Sequence, residues 1–435
     1  MVNIDQFIGG LKRRVIDVSQ NPLARGVLWK LSARISSLFI QSFYFLIISR
    51  ALGTEQYGLF IGVMAFVKLL VPFASWGTPH ILLKHVARDR RVFNQYWGNT
   101  LLITGLLGTA LLFVVLLLNR FIFSSQFPWT LLLLIGLAEL ICARIHDAVV
   151  KSFLATDNFR LDAQANILLS FSGLMAAVCL LGLFQDTSAE AWGVLYFASR
   201  LVTAVAGLFM IHRTLGRPKI QLSLMGPEVT QGFFFSVSLS SQTIYNDIDK
   251  TMLASMSTLA ATGIYGAAYR IIEVAMIPVL SLLGATYAQF FRRGATGIRG
   301  SLSFAKKIVP FSGGYGLLAA AGVWICAPIV PLLLGEEYRD SVNALRWLAP
   351  LIFFKALQFF AADTLTGAGL QGVRTALQAS FAGANALMNL WLIPLYSWKG
   401  AALSSLITDG LLVVILWALI FYYAYIDHAP PHPSQ

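Results

Sequence analysis

Basic side chains interrupt several long apolar runs of this chain. An ionised group in hydrocarbon costs at least ~2.5 kcal/mol, so its presence there indicates a function or an internal partner. Guanidinium and ammonium groups bind phosphate oxygens well. The basic residues predicted to bind an anionic substrate group, such as a diphosphate, are Arg34, Lys68, Arg200, Arg270 and Lys355.

Acidic side chains in the same kind of run are candidates for binding a coupling cation, either a proton or Na⁺. They are Asp247, Asp249, Glu273 and Asp409. Asp247 lies three residues before Lys250, and Arg270 lies three before Glu273. This spacing also allows two salt bridges along a helix, which would neutralise buried charge instead of binding an ion. Both interpretations stay open, and Asp409 has no basic residue at such a spacing.

The intramembrane charges are divided unevenly between the two halves of the chain. The first half has Arg34, Lys68, Arg144 and Arg200 against Glu139. The second half has three basic residues against five acidic ones: Lys250, Arg270 and Lys355 against Asp247, Asp249, Glu273, Asp363 and Asp409. We therefore expect a cationic and a mildly acidic wall around a shared cavity, lined by Arg34, Lys68 and Arg270. Arg144 lies close to a helix end, where snorkelling is the simpler explanation.

Composition indicates the elements that carry these groups. The chain has 435 residues, of which 57% are hydrophobic and 12% charged, whereas a soluble domain has about 25% charged residues. Apolar runs of about 20 residues are long enough to cross a bilayer. Twelve such spans are predicted, near residues 28–50, 57–79, 98–118, 129–150, 164–184, 192–212, 231–256, 262–290, 308–330, 343–365, 375–396 and 400–425.

The distribution of Lys and Arg predicts the orientation. Connectors on one side carry about four times as many of these residues as connectors on the other, which favours both termini in the cytoplasm and an inner (cytoplasmic) membrane location. The basic residues responsible for the net charge of +12 lie mostly in these connectors, so nucleic acid is not an expected partner. Residues 1–26 are predicted to form an amphipathic, basic leader rather than a cleavable signal peptide.

The sequence does not indicate the catalytic or metal-binding motifs of soluble enzymes. There is no P-loop pattern for ATP hydrolysis. The three cysteines lie in apolar runs, and the histidines show no ligand spacing. We therefore expect no cofactor, no metal and no enzymatic activity.

A short motif joins the first two spans. It reads Arg50-Ala51-Leu52-Gly53, then Tyr57-Gly58, with glycines where one helix stops and the next begins. Similar landmarks return about 210 residues later in the chain: Tyr265-Gly266 for Tyr57-Gly58, Arg374 for Arg160 and Gly400 for Gly193. The resulting domains are a first six-helix repeat at 27–213, a linker at 214–230, a second repeat at 231–426 and a tail at 427–435.

The motif and the repeat resemble the polysaccharide or O-antigen flippase-type exporters of the multidrug/oligosaccharidyl-lipid/polysaccharide (MOP) flippase superfamily. The resemblance implies an all-α polytopic membrane protein with about twelve transmembrane helices in two six-helix repeats around a central cavity. It also implies alternating-access export of a polyprenyl-diphosphate-linked oligosaccharide. Membrane lipids and pathway proteins such as a polysaccharide polymerase are the implied partners.

Two other functions remain open from the sequence. A drug or cation antiporter of the same superfamily would have the same fold, although a cationic first half would repel cationic drugs. A membrane polymerase or glycosyltransferase would need a long extracytoplasmic loop, and every connector here is shorter than twenty residues.

Overall fold

The computed structural model describes residues 22–122, 127–183, 187–224 and 226–426. Most of the predicted leader and the whole predicted tail lie outside these ranges. The described residues form helices joined by short connectors and contain no strand. Its helices are α1 (Pro22–Ala74), α2 (Thr78–Val86), α3 (Phe93–Ile122), α4 (Trp129–Gly136), α5 (Ala143–Ala155), α6 (Phe159–Leu183), α7 (Ala189–Thr214), α8 (Val229–Met256), α9 (Leu259–Ala275), α10 (Ile277–Gly294), α11 (Ile298–Cys326), α12 (Val330–Leu334), α13 (Ser341–Leu348), α14 (Pro350–Gly367), α15 (Gln371–Tyr396) and α16 (Trp398–Ile426).

Each predicted span consists mostly of these helices, and residue 184 is outside the described ranges. Five spans contain a break between two helices, at residues 75–77, 137–142, 276, 327–329 and 349. In the described chain, seven helices are long and apolar enough to cross a membrane, or eight if α9 and α10 form one span bent by 45°. One of the seven, Ser36–Ala74, contains most of the first two predicted spans. Among the predicted spans that do not meet this test, α8 carries three charged residues between positions 247 and 250. Another is divided by a π-helical turn at Leu137–Cys142, which separates α4 from α5.

Two compact units make up the described chain. The first contains residues 22–48 and 70–240, and the second contains residues 49–69 and 241–426. The long helix α1 therefore contributes residues to both. Lys68 lies in the first half of the sequence but belongs to the second unit.

The segment after α7 packs onto the first unit. The Lys219 amide donates a hydrogen bond to the Asn94 carbonyl oxygen, at 2.8 Å. Asn99 and the Gln221 backbone exchange two hydrogen bonds of 2.8 Å each. Farther along, Glu228 lies 2.6 Å from His85, whose ring stacks on Tyr96. This part of the predicted linker thus has fixed polar contacts with α2 and α3.

The junction motif forms a break of one residue in α1. Gly53 has φ 66° and ψ 179°, with helix on both sides, and a positive φ is readily tolerated only by glycine. The buried Tyr338 hydroxyl lies 2.8 Å from the Ser49 carbonyl oxygen and 3.1 Å from that of Gly53. Burial raises the pKa of Tyr338, so the phenol keeps its proton and donates to these carbonyls, which the break exposes.

The remaining motif residues pack the second half of α1 against the second unit. Tyr57 is buried and meets Tyr338 edge to face, with 6.4 Å between ring centroids. A Cβ atom on Gly58 would lie 1.8 Å from the Leu259 carbonyl oxygen. A Cβ on Gly263 would lie 2.0 Å from the Thr54 carbonyl oxygen. Glycine at both positions lets the backbones of α1 and α9 touch, as small residues do in membrane helix pairs.

We predict that Gly58→Ala destabilises the protein by about 1–3 kcal/mol or more, because overpacking forces the two backbones apart. The matched control is Gly105→Ala in α3, where no atom lies within 4 Å of the added Cβ. Thermal unfolding of the detergent-solubilised variants measures the difference. Equal midpoints for the two variants would contradict the close approach of α1 and α9.

Candidate functional site

Lys250 of α8 lies at the centre of a charged cluster inside the second unit. Its ammonium nitrogen is 2.6 Å from Asp247 and 3.9 Å from Glu273, and it lies 4.2 Å from the centre of the Tyr269 ring. Arg270 donates to Glu273 at 2.9 Å. Both predicted i,i+3 salt bridges are therefore present, and Glu273 joins them across α8 and α9. Removing one partner of such a buried pair would leave an uncompensated charge, which is strongly destabilising.

A second buried pair joins α14 to α16. The Lys355 ammonium lies 3.7 Å from Asp409, and the two side chains are only 9% and 5% exposed. Lys355 also lies 5.7 Å from the centre of the Tyr269 ring, which it shares with Lys250, and 5.3 Å from that of Tyr245. The π face of an aromatic ring attracts cations, most strongly where water is excluded. Asp409, which has no partner at helical spacing, thus finds one on a neighbouring helix.

Asp249 is buried and accepts a hydrogen bond from the Tyr265 hydroxyl and another, of 2.7 Å, from the Lys250 amide. The four acidic residues predicted to bind a coupling ion are therefore all engaged by donors or cations of the second unit. Asp247 lies in the electrostatic field of Lys68 and Lys355 as well as that of Lys250. The cluster contains seven of the predicted site residues together with Lys250, which pairs with two of them. The seven are Lys68, Asp247, Asp249, Arg270, Glu273, Lys355 and Asp409.

Two of the basic residues predicted to bind substrate do not take part in these ion pairs. Lys68 is half-buried, and Arg34 in the first unit is exposed. Within the described residues, neither has a carboxylate oxygen within 4 Å. By contrast, Lys250, Arg270 and Lys355 each form an ion pair. Arg34 and Lys68 are thus the predicted substrate-binding cations that keep their charge available.

The first unit has its own charged cluster, which begins at the π-helical turn. This turn, Leu137–Cys142, carries Glu139. The Tyr196 hydroxyl donates to Glu139 at 2.6 Å and accepts from Arg200 at 2.9 Å. Arg200 itself stays 3.8 Å from Glu139, so the tyrosine links the two charges. Extra π turns occur often at functional sites because they redirect side chains.

A cavity of about 310 Å³ adjoins these residues between α5, α6 and α7. One turn beyond Glu139, Arg144 lies 3.7 Å from Asp147. Both carboxylate oxygens of Asp147 accept from Lys151, at 3.0 and 2.9 Å. The lining consists of Glu139, Ala143, Arg144, His146, Asp147, Val150, Asn166, Leu169 and Arg200. Arg144, expected to snorkel, therefore lines a cavity.

Tyr196, Tyr265, Tyr269 and Asp147 were not predicted as site residues. Tyr196 lies four residues before Arg200, and Tyr265 lies four before Tyr269. Asp147 lies three residues after Arg144 and four before Lys151. Residues at these spacings share a helix face, so the same test that found Asp247 and Lys250 indicates these groups. The contacts across helices, such as Lys355 with Asp409, leave no local signal.

Comparison with known proteins now adds to this geometry. A family model described as "Polysaccharide biosynthesis protein" matches residues 23–291. No curated protein matches the chain. Among solved structures, an inward-facing multidrug resistance MATE family transporter of the MOP superfamily matches with a TM-score of 0.72 and 16% identity, covering 90% of this chain and 96% of that one. An outward-facing MATE transporter matches with a TM-score of 0.62 and 14% identity, covering 94% and 98%.

A MOP superfamily transporter from Pyrococcus furiosus, whose binding pocket is described as having reverse polarity, also matches with a TM-score of 0.62 and 14% identity, covering 94% and 98%. The shared fold confirms the all-α polytopic architecture of about twelve helices in two repeats. Because the family model covers more than half of the residues, the chain belongs to the polysaccharide biosynthesis protein family, and it shares its fold with transporters of the MOP superfamily.

Proposed function

We propose that the protein flips a polyprenyl-diphosphate-linked oligosaccharide, the repeat unit of a polysaccharide, from the cytoplasmic to the outer leaflet by alternating access. The observation that carries the proposal is the difference in pairing between its acidic and basic groups. The four candidate coupling acids are engaged within the second unit, whereas Arg34 and Lys68 have no carboxylate within 4 Å in the described chain. Cations without such a partner favour an anionic cargo.

The family match supports a polysaccharide-related cargo, while the fold is shared with multidrug transporters. An exporter of cationic drugs would need an acidic group available to the drug. Asp249 is held by a tyrosine, and Asp247, Glu273 and Asp409 lie within 4 Å of a cationic nitrogen. This pairing favours the lipid diphosphate over the cationic drug.

The membrane potential is the proposed driving force. Moving one elementary charge across the field is worth about 2.3 kcal/mol per 100 mV, so outward transfer of two negative charges gains ~4–5 kcal/mol in a cell with a negative interior. Entry of a proton or Na⁺ would reset the empty protein. We assign that cation to the acids of the second unit, which must exchange their present ion pairs and hydrogen bonds to bind it: Asp247, Asp249, Glu273 and Asp409.

We expect Lys68→Gln to slow transfer of a lipid-linked oligosaccharide in proteoliposomes about tenfold, the usual cost of a lost charge-assisted hydrogen bond. The matched control is Lys306→Gln, which removes an exposed lysine of the same unit. Accessibility of the labelled sugar to an external lectin measures transfer. Equal rates for wild type and Lys68→Gln would contradict the role of Lys68, and no transfer by the wild type would contradict the proposed function.

Asp409→Asn should weaken the dependence of transfer on a proton or Na⁺ gradient while leaving substrate binding largely intact, because it removes one charge at nearly constant shape. The control is Asp363→Asn, since Asp363 is equally buried and lies 3.6 Å from its own cation, Arg374. Initial rates with and without each gradient provide the comparison. Loss of binding with an unchanged gradient dependence in Asp409→Asn would show that the cation site lies elsewhere.

A further inference from the structure

The side chains that line the cavity of the first unit include more hydrogen-bond donors than the acceptors in the same lining can pair with. Glu139 accepts from Tyr196, and Asp147 accepts from Lys151 through both oxygens. Neither Tyr196 nor Lys151 lines the cavity. The two carboxylates in the lining are thus committed to groups behind the cavity wall.

The cations of the lining keep unused donors. The Nε atoms of Arg144 and Arg200 are buried and have no hydrogen-bond partner in the described structure. The closest approach of Arg144 to Asp147, 3.7 Å, is too long for a hydrogen bond. Arg200 is oriented by Tyr196, through its Nη2 atom. Two guanidinium groups therefore line one cavity with donors to spare.

His146 gives independent evidence for a ligand. It is 6% exposed, it lines the cavity, and neither ring nitrogen has a hydrogen-bond partner in the described structure. A neutral imidazole carries one donor and one acceptor, and leaving both unused in a buried place is costly. Asn166 adds an amide to the same lining.

We propose that this cavity, built by Arg144, His146 and Arg200, is an oxyanion site that takes a phosphate or diphosphate group. Phosphate oxygens are pure acceptors with negative charge, and guanidinium groups bind them in pairs of parallel hydrogen bonds. The cavity volume of about 310 Å³ accommodates such a group. A cationic ligand would face two arginines with no uncommitted carboxylate among the lining residues.

The phosphate has two sources, the lipid-linked substrate or an anionic lipid of the bilayer. The site rests on its own geometry, whereas its use during transport rests on the proposed function. Binding is therefore measured apart from transport, on the full chain in maltoside micelles, which contain no phosphate.

The probe is inorganic diphosphate, titrated by calorimetry. We expect the wild type to bind it, Arg144→Gln to bind it about tenfold or more weakly, and His146→Gln to bind it more weakly than the wild type. The matched control, Arg213→Gln, removes an exposed arginine from α7, the helix that carries Arg200, and should bind like the wild type. Arg200→Lys tests planar recognition, because it keeps the charge and loses the two-pronged hydrogen bonding.

Competition then identifies the source. Stronger displacement by farnesyl diphosphate than by phosphatidylglycerol assigns the site to the transported lipid, and the reverse order assigns it to the bilayer. The proposal is overturned if the wild type does not bind diphosphate. It is also overturned if Arg144→Gln and His146→Gln, with wild-type melting temperatures, bind as tightly as Arg213→Gln.

Discussion

Removing charge from water is the constraint on which the interior of this protein depends. Each ionised side chain in a membrane helix needs a counter-charge, a hydrogen bond or an aromatic face to stay there. The second unit meets this need by sharing partners. Tyr269 lies near two lysines, and Lys250 lies within 4 Å of two carboxylates. Because the partners are shared, a change of charge at one member affects the others.

The two units pair their buried charges in different ways. In the second unit, ion pairs connect α8 with α9 and α14 with α16. The acids in these pairs are therefore neutralised by nearby bases. In the first unit, tyrosine and lysine occupy the carboxylates, and guanidinium and imidazole nitrogens remain without partners in the described residues. Ion pairing thus neutralises the acids of the second unit, whereas the surplus donors of the first unit suit an anion.

Hydrophobic length and repeat spacing were sufficient to predict the helical architecture, because a span must be apolar for about 20 residues. Local spacing also predicted the Asp247–Lys250 and Arg270–Glu273 pairs. It could not predict Lys355 with Asp409, since these residues are 54 positions apart and meet only through packing. The π turn at Leu137–Cys142 likewise leaves no pattern in an apolar run. Lys68 was grouped by chain order, although its segment packs with the second unit.

The residues of the junction motif determine how the helices bend and pack. Gly53 supplies the positive φ, Gly58 the close approach to α9, and Tyr57 a contact with Tyr338. All three residues have structural reasons for their identity. The residues that distinguish one cargo from another are therefore sought among the charged groups rather than in the motif that marks the family.

The central claim is that an anionic lipid crosses the membrane with its charge exposed to the field. Its most direct test is the rate of transfer of a lipid-linked oligosaccharide in proteoliposomes, with the membrane potential collapsed while pH and Na⁺ are kept equal on both sides. The account predicts a clear fall in rate, which an imposed potential, negative on the side from which the lipid leaves, restores. Undiminished transfer at zero potential would contradict it.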